Sequence, residues 1–389
     1  MSKRIALYWH NGRGLGHTVR NATLGQALLD YMPGSAVLGI TGAAKGLELL
    51  PPEMDFVKIP SYLAFDGVEG VHTTPILSIT KAEFQSLREN LIATVVRDFR
   101  PHVFVVDYHP QGKKGELVPM LINSHGTKKV LGLRGILGTP AETNNEFFSP
   151  HMVAFIQKYF SAIHVYVDQR VLSIEEYYRI PDALRDMLTY TGYVTRSTVT
   201  TKAEARAMLR VGPHARLVVA SYGGGQGTER LWRATLDGLS KIQKRFDFAY
   251  LISGPYLEAD AYERLRVQVS EHPNWSWTRL LDPLPLWIKA SDLFIGSGGY
   301  NSLAEVIATG ANALIVPRHL NDSEQELHAT RLASLNILRV AGLERILQGE
   351  VASLLEACLA EPYPAEQRIK IATGGALQSA KLIAELACS

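Results

Sequence analysis

The chain reads as an α/β protein built on two mostly parallel sheets, and three observations carry that reading. Short β-branched or apolar runs alternate with longer helical patterns along the 389 residues, the pattern of strand–helix–strand units. The length is enough for two domains. Three glycine-rich turns each follow a strand-like run and lead into a helix, where open α/β sheets hold their ligands.

The elements follow in order. In the first half, strands are expected over residues 5–9, 36–40, 56–59, 103–106, 130–133 and 164–167. In the second half they are expected over 217–221, 248–252, 275–278, 293–295 and 313–316. Helical patterns fill 20–30, 81–99 and 231–246. Residues 191–201 are polar, β-branched and unpatterned, and mark the seam. The first domain is therefore placed at 1–193 and the second at 194–373. An amphipathic helix over 374–389 is expected to pack back on the first domain.

Composition excludes several classes. Lys plus Arg number 40 against 38 Asp plus Glu, so nothing advertises nucleic acid as a partner. No run of 18 apolar residues suggests a membrane span; peripheral contact with a membrane surface is compatible with the sequence. The opening Met1-Ser-Lys-Arg-Ile-Ala-Leu has no leader-like pattern. Two cysteines, Cys358 and Cys388, cannot make a disulfide framework, and no Cys/His spacing suggests zinc. A cytoplasmic chain is the expectation, with no metal and no cofactor.

The first glycine turn is Trp9-His-Asn-Gly-Arg-Gly-Leu-Gly-His-Thr-Val-Arg20. Its glycines let a ligand approach the backbone, and the helix start offers unpaired N–H groups. It is not a dinucleotide fingerprint: Gly12 and Gly14 fit, but His17 stands where the third glycine belongs, and Ile40-Thr41 offers no acid to a ribose. The second turn is Ser221-Tyr-Gly-Gly-Gly-Gln-Gly-Thr228, and the third is Gly296-Ser-Gly-Gly-Tyr-Asn301. Three consecutive glycines are costly to order, so a need for that backbone freedom is expected. Each turn also has a plain reading as a strand–helix connection. A ligand with phosphates and a sugar, held between lobes, would use all three.

The stretch Gly296-Ser-Gly-Gly, Glu305, Gly310, Pro317 and Asp322-Ser-Glu-Gln325 resembles the donor-binding segment of family 28 glycosyltransferases, the MurG-like group. Gly14-Leu-Gly-His17, Gly192-Tyr-Val-Thr-Arg196 and the Gly223–Gly227 loop resemble that family's other motifs, in the same order. Val106-Asp-Tyr-His-Pro-Gln-Gly, Gly115-Glu116 and Gly132-Leu-Arg-Gly-Ile136 look like a branch of MurG-like transferases. The resemblance implies a GT-B fold and an inverting, metal-independent transfer from a UDP-sugar to a small-molecule or lipid-linked acceptor. It implies that Glu305 binds the ribose and that Ser297, Gly298 and Arg196 lie at the diphosphate. Glu324 and Gln325 would contact the sugar, and His17 would stand where donor and acceptor meet. Gly14, Gly16, Gly224, Gly225, Gly299 and Asn301 complete the donor set, with Glu116 and Arg134 on the acceptor side. Two departures stand out: Glu324 replaces a usual glutamine, and Gly135 stands where an acid is expected.

Inverting transfer needs a base for the acceptor proton and positive groups for the departing diphosphate. His17 is the preferred base, since an imidazole suits that task near neutrality; Asp107 and His109 are the alternatives. His17 also reads as a structural or phosphate-contacting residue, and Asp107 and His109 as turn chemistry before Pro110. Ser302-x-x-Glu305 and Asp322-x-x-Gln325 each fit a helix capping box, the rival reading for both residues. Trp275, Trp277 and Trp287 read as core or wall, and Lys113-Lys114 as solvated loop. The Gly14–Arg20 run also resembles UDP-sugar hydrolases of pseudaminic acid synthesis, which use water as acceptor. A non-catalytic nucleotide-sugar-binding protein is a rival of another class, and a non-hydrolysing epimerase a third.

Overall fold

The computed structural model describes residues 2–10, 14–67, 70–196, 200–318, 324–361 and 369–389, with side chains at 63–73 left aside. Gly12 and Asp322 therefore lie outside the described residues. Two compact units emerge: Met1–Thr195 with Gly374–Ser389, and Arg196–Thr373.

In the first unit, β1 (Arg4–Trp9), β2 (Ala36–Thr41), β3 (Asp55–Lys58), β6 (Val103–Asp107), β7 (Lys128–Leu133), β8 (Ala162–Val165) and β9 (Leu188–Tyr190) form a sheet of order β3-β2-β1-β6-β7-β8-β9. Every pairing in it is parallel. Two further strands, β4 (Tyr62–Gly67) and β5 (Gly70–Pro75), make a separate antiparallel hairpin. A parallel sheet covered on both faces needs near-continuous apolar strands. β1 and β6 answer that: Ile5 through Trp9 and Val103 through Val106 are all buried.

The C-terminal helix Gly375–Cys388 belongs to this unit. Ala380, Ile383 and Ala387 join Leu7, Leu24 and Val105 in one core cluster. The fully buried Ile383 side chain contributes about 1.5–3 kcal/mol by leaving water. The polar side of the same contact is satisfied, because Ser379 Oγ lies 2.7 Å from His164 Nδ1. Burial lowers the pKa of His164 to about 4, which keeps it neutral there.

In the second unit, β10 (Leu217–Ser221), β11 (Phe248–Ile252), β12 (Trp275–Thr278), β13 (Leu293–Gly296), β14 (Ala313–Ile315) and β15 (Arg339–Val340) form a parallel sheet of order β12-β11-β10-β13-β14-β15. Helix Glu229–Lys241 buries Leu231, Trp232, Leu236 and Leu239 against it. Trp275 and Trp277 pack on that core, and Trp287 stands 4.1 Å from the Tyr250 ring, so all three serve as core or wall.

Both sheets reverse their winding once. Chain order turns back between β1 and β6 in the first unit and between β10 and β13 in the second. At such a switch point the loops leaving two neighbouring strands diverge to opposite faces and open a crevice at the carboxyl ends. The first glycine turn leaves β1, and the other two leave β10 and β13.

Candidate active site

At the first switch point, helix Gly16–Tyr31 starts just beyond β1 and puts His17, Arg20 and Asn21 on one face, three and four residues apart. Asp107 ends β6 beside them and is 4% exposed. His17 Nδ1 lies 3.0 Å from Asp107 Oδ2. Arg20 Nη2 donates to Asp107 Oδ1 at 2.8 Å and to Oδ2 at 2.9 Å, and Asn21 Nδ2 donates to Oδ2 at 2.7 Å. Four donors thus converge on one buried carboxylate.

The electrostatics follow from those contacts. Burial alone would raise the Asp107 pKa, but the Arg20 charge and the bonds from His17 and Arg20 overrule it, and the group is held well below the usual carboxylate range. Burial lowers the His17 pKa, with the Asp107 charge pulling the other way. His17 is accordingly neutral at pH 7, with its side chain 23% exposed. Arg20 Nη2 also approaches His17 Nδ1, at 2.9 Å. Because both Nη2 hydrogens are accounted for by the two carboxylate oxygens, the Nδ1 proton is assigned to the Asp107 bond, which puts the basic lone pair on Nε2.

Tyr108, directly after Asp107, has φ 80°, a left-handed conformation uncommon for a bulky side chain. Its amide donates to Gly132 O at 2.9 Å, and Arg134 lies 4.9 Å over its ring. This turn separates the two alternative bases: Asp107 points into the buried cluster, whereas His109 is exposed and packs edge-on against Tyr108 at 4.4 Å. Gly135 has φ 92°, and a Cβ there would come 2.9 Å from Val167, so the expected acid has no room. Glu116 requires a correction: placed on the acceptor side by sequence, it is fully buried and ion-paired to Arg88, with a hydrogen bond from Tyr8. It is the counter-charge of a buried arginine. Lys113, read as solvated, is half-buried beside it.

At the second switch point, the Gly223–Gly227 turn is drawn tight. Gly225 has φ 91°, and a Cβ there would lie 2.2 Å from Ser253 O. Gly224 is half-buried in the same turn, and its carbonyl accepts from Tyr256 N at 2.8 Å. The turn after β13 buries Ser297 and brings Gly298 against the backbone of Gln325. Helix Tyr300–Thr309 begins at Gly299. Asn301 and Ser302 are therefore inside the helix, and the capping-box reading of Glu305 fails. Glu305 is 4% exposed and accepts from Arg196 Nη2 at 2.8 Å, while Arg196 Nη1 donates to Asp282 at 2.6 Å. Burial raises the Glu305 pKa and Arg196 opposes that shift. Glu324 opens helix Glu324–Ser334 and is 8% exposed; Gln325 Oε1 accepts from Arg318 N at 3.1 Å. Gly14 and Gly16 are half-buried at the first turn.

Sequence reasoning missed Arg20, Asn21 and Arg318. Spacing from His17 on one helix face could have found the first two, and position just past a strand's carboxyl end the third. Among the described residues, no group of three His, Cys, Asp or Glu side chains could hold a metal ion. Among the same residues, no helix is long and apolar enough to cross a membrane.

Comparison with known proteins places this geometry. Residues 218–386 match the glycosyltransferase family 28 C-terminal domain. The UDP-N-acetylglucosamine--N-acetylmuramyl-(pentapeptide) pyrophosphoryl-undecaprenol N-acetylglucosamine transferase of Clostridioides difficile (strain 630) is 28% identical over 157 residues, 39% of this chain and 37% of that protein. The chain thus aligns with little more than a third of that relative's length. The crystal structure of Acinetobacter baumannii MurG superposes with a TM-score of 0.55 at 12% identity, covering 97% of this chain and 95% of that one. A UDP-N-acetylglucosamine 2-epimerase structure superposes with a TM-score of 0.55 at 11% identity, covering 98% and 91%. At such identities the superpositions establish the fold, and that fold is shared by transferases and epimerases. The chain is a MurG-like protein of GT-B fold whose second unit carries the family 28 glycosyltransferase domain.

Proposed function

We propose that the chain transfers a sugar from a UDP-sugar to an acceptor hydroxyl, with inversion at the anomeric carbon and without a metal ion. The carrying observation is the His17–Asp107 pair at the first switch point, in a chain whose other switch point lies in a family 28 domain. His17 Nε2 takes the acceptor proton as the acceptor oxygen bonds to the anomeric carbon. Asp107 keeps the other nitrogen protonated and offsets the imidazolium charge that develops. Arg20 and Asn21 hold Asp107 ionised and oriented. The bond from the sugar to the diphosphate breaks on the opposite side, and the leaving UDP carries the electron pair.

On the donor side, Glu305 is read as the ribose ligand, with Ser297, Gly298 and Gly299 lining the anionic part at a helix start. Gly224 and Gly225 give the diphosphate close access to backbone, and Gln325 with Glu324 faces the sugar. Arg134 and His109 border the acceptor. A cytoplasmic setting belongs to the same reading, in keeping with free thiols at Cys358 and Cys388. A melting curve with UDP in the presence of EDTA tests the donor side, because a ligand that binds only the folded state raises its stability. UDP is expected to raise the Tm equally with EDTA and with added magnesium. A shift abolished by EDTA would contradict the metal-free reading.

A further inference from the structure

Two arginines reach the second switch point, and their surroundings differ in kind. Arg196 is neutralised twice, by Glu305 at 2.8 Å and Asp282 at 2.6 Å. Arg318 follows β14 directly and makes no ion pair among the described residues. Its backbone amide is fixed by Gln325 Oε1 at 3.1 Å, and its Nη1 donates to the carbonyl of Gln226, within the glycine turn, at 2.9 Å. Its Nε is shut away from solvent with no acceptor among the described residues. Burial, with no carboxylate to offset it, lowers its pKa.

A buried guanidinium without an anion is costly. Here it is tied to the glycine turn after β10 on one side and to Gln325 on the other. Both tethers are neutral oxygen atoms, which orient the head without discharging it. An anion arriving at this turn would find a planar donor with unspent N–H groups, ready to bind oxygens bidentately.

We propose that Arg318 is the principal cation for the donor diphosphate, the part the sequence assigned to Arg196. The inference rests on the donor reading above and sharpens it: the ligand is a nucleoside diphosphate, and the residue that discriminates it from a nucleoside is Arg318. Arg196 acts instead as the counter-charge of Glu305.

The experiment compares wild type, Arg318→Met and Arg318→Lys by calorimetric titration with uridine, UDP, UDP-N-acetylglucosamine and UDP-glucuronic acid, alongside melting of the ligand-free proteins. Arg318→Met removes an uncompensated buried charge, so the free protein should melt no lower than wild type. Its affinity for UDP and both UDP-sugars should drop on the order of ten- to a hundredfold, with uridine unaffected. Arg318→Lys should recover part of that loss, as a point charge without the bidentate fork. Equal UDP affinity in wild type and Arg318→Met would overturn the assignment. So would a loss confined to UDP-glucuronic acid, which would place the sugar's carboxylate at Arg318. A markedly lower melting point of the free Arg318→Met protein would also overturn it, by making the residue structural. Failure of wild type to bind UDP at all would instead refute the donor reading itself.

Discussion

The first sheet's switch point gathers ionisable side chains, whereas the second sheet's gathers backbone. Between β1 and β6, a histidine, an arginine and an asparagine close around Asp107, all buried or nearly so. Between β10 and β13, two glycine turns and a helix start present N–H groups, with Arg318 uncompensated and Glu305 sequestered by Arg196. Topology supplies the same crevice twice. The difference lies in what each crevice can do: one moves a proton by tuning a pKa, and the other holds an anion with fixed donors. A transfer reaction needs one of each.

The comparison breaks most readily at Asp107. Asp107→Asn leaves Arg20 buried without its counter-charge, which should destabilise the fold by about 3–5 kcal/mol in denaturant titration. It should also let Arg20 donate to Nδ1, which switches the His17 tautomer and abolishes the base at Nε2. If Asp107→Asn proves as stable and active as wild type, the first crevice is not a charge-tuned site.

His17→Ala separates the two crevices. Turnover should fall roughly 10²–10⁴-fold, with UDP affinity unchanged, because the donor groups lie in the other unit. The wild-type acid limb gives a second measure. His17 must be neutral to act, and burial lowers its pKa, so kcat/KM should stay flat as pH drops to about 6.5, the ordinary histidine value, and decline only below it. A decline beginning above that value would show a base with a raised pKa and exclude His17.

Arg196→Met tests the second crevice from its stability side. It strands the Glu305 carboxylate, so the free protein should lose about 1–3 kcal/mol, moderated by the 27% exposure of the Arg196 side chain. Glu305→Gln should change the melting point less and cost UDP about tenfold in affinity, near 1.4 kcal/mol. That loss should vanish for a 2′,3′-dideoxy analogue, which has no diol. Retention of full UDP affinity in Glu305→Gln would remove the ribose role.

Much of the frame was legible because buried parallel strands are near-continuous apolar runs. The strands over 217–221, 248–252 and 275–278 and the helix over 81–99 fall at their expected bounds. What escaped is short or half-exposed: β9 and β15 have three and two residues, and the β4–β5 hairpin carries Gly, His and Thr where an apolar run would signal a strand. At the site, residue types in glycine turns were visible, but their pairing was not. Nothing in the chain announces that Asp107 meets His17 across 90 positions, or that Arg196 closes on Glu305 across 109. Those contacts depend on strand order. Glu116 shows the converse, since a polar residue in a suggestive motif proved to be the partner of Arg88.

The most direct test follows UDP release from UDP-N-acetylglucosamine, with and without an acceptor-containing extract of the producing cell, in wild type and His17→Ala. The account predicts slow release with donor alone, because a transferase shields its activated sugar from water. Addition of extract should accelerate release in wild type, and His17→Ala should abolish that acceleration while still binding UDP. Rapid release without any acceptor, unaffected by the extract, would contradict the account and make the protein a hydrolase.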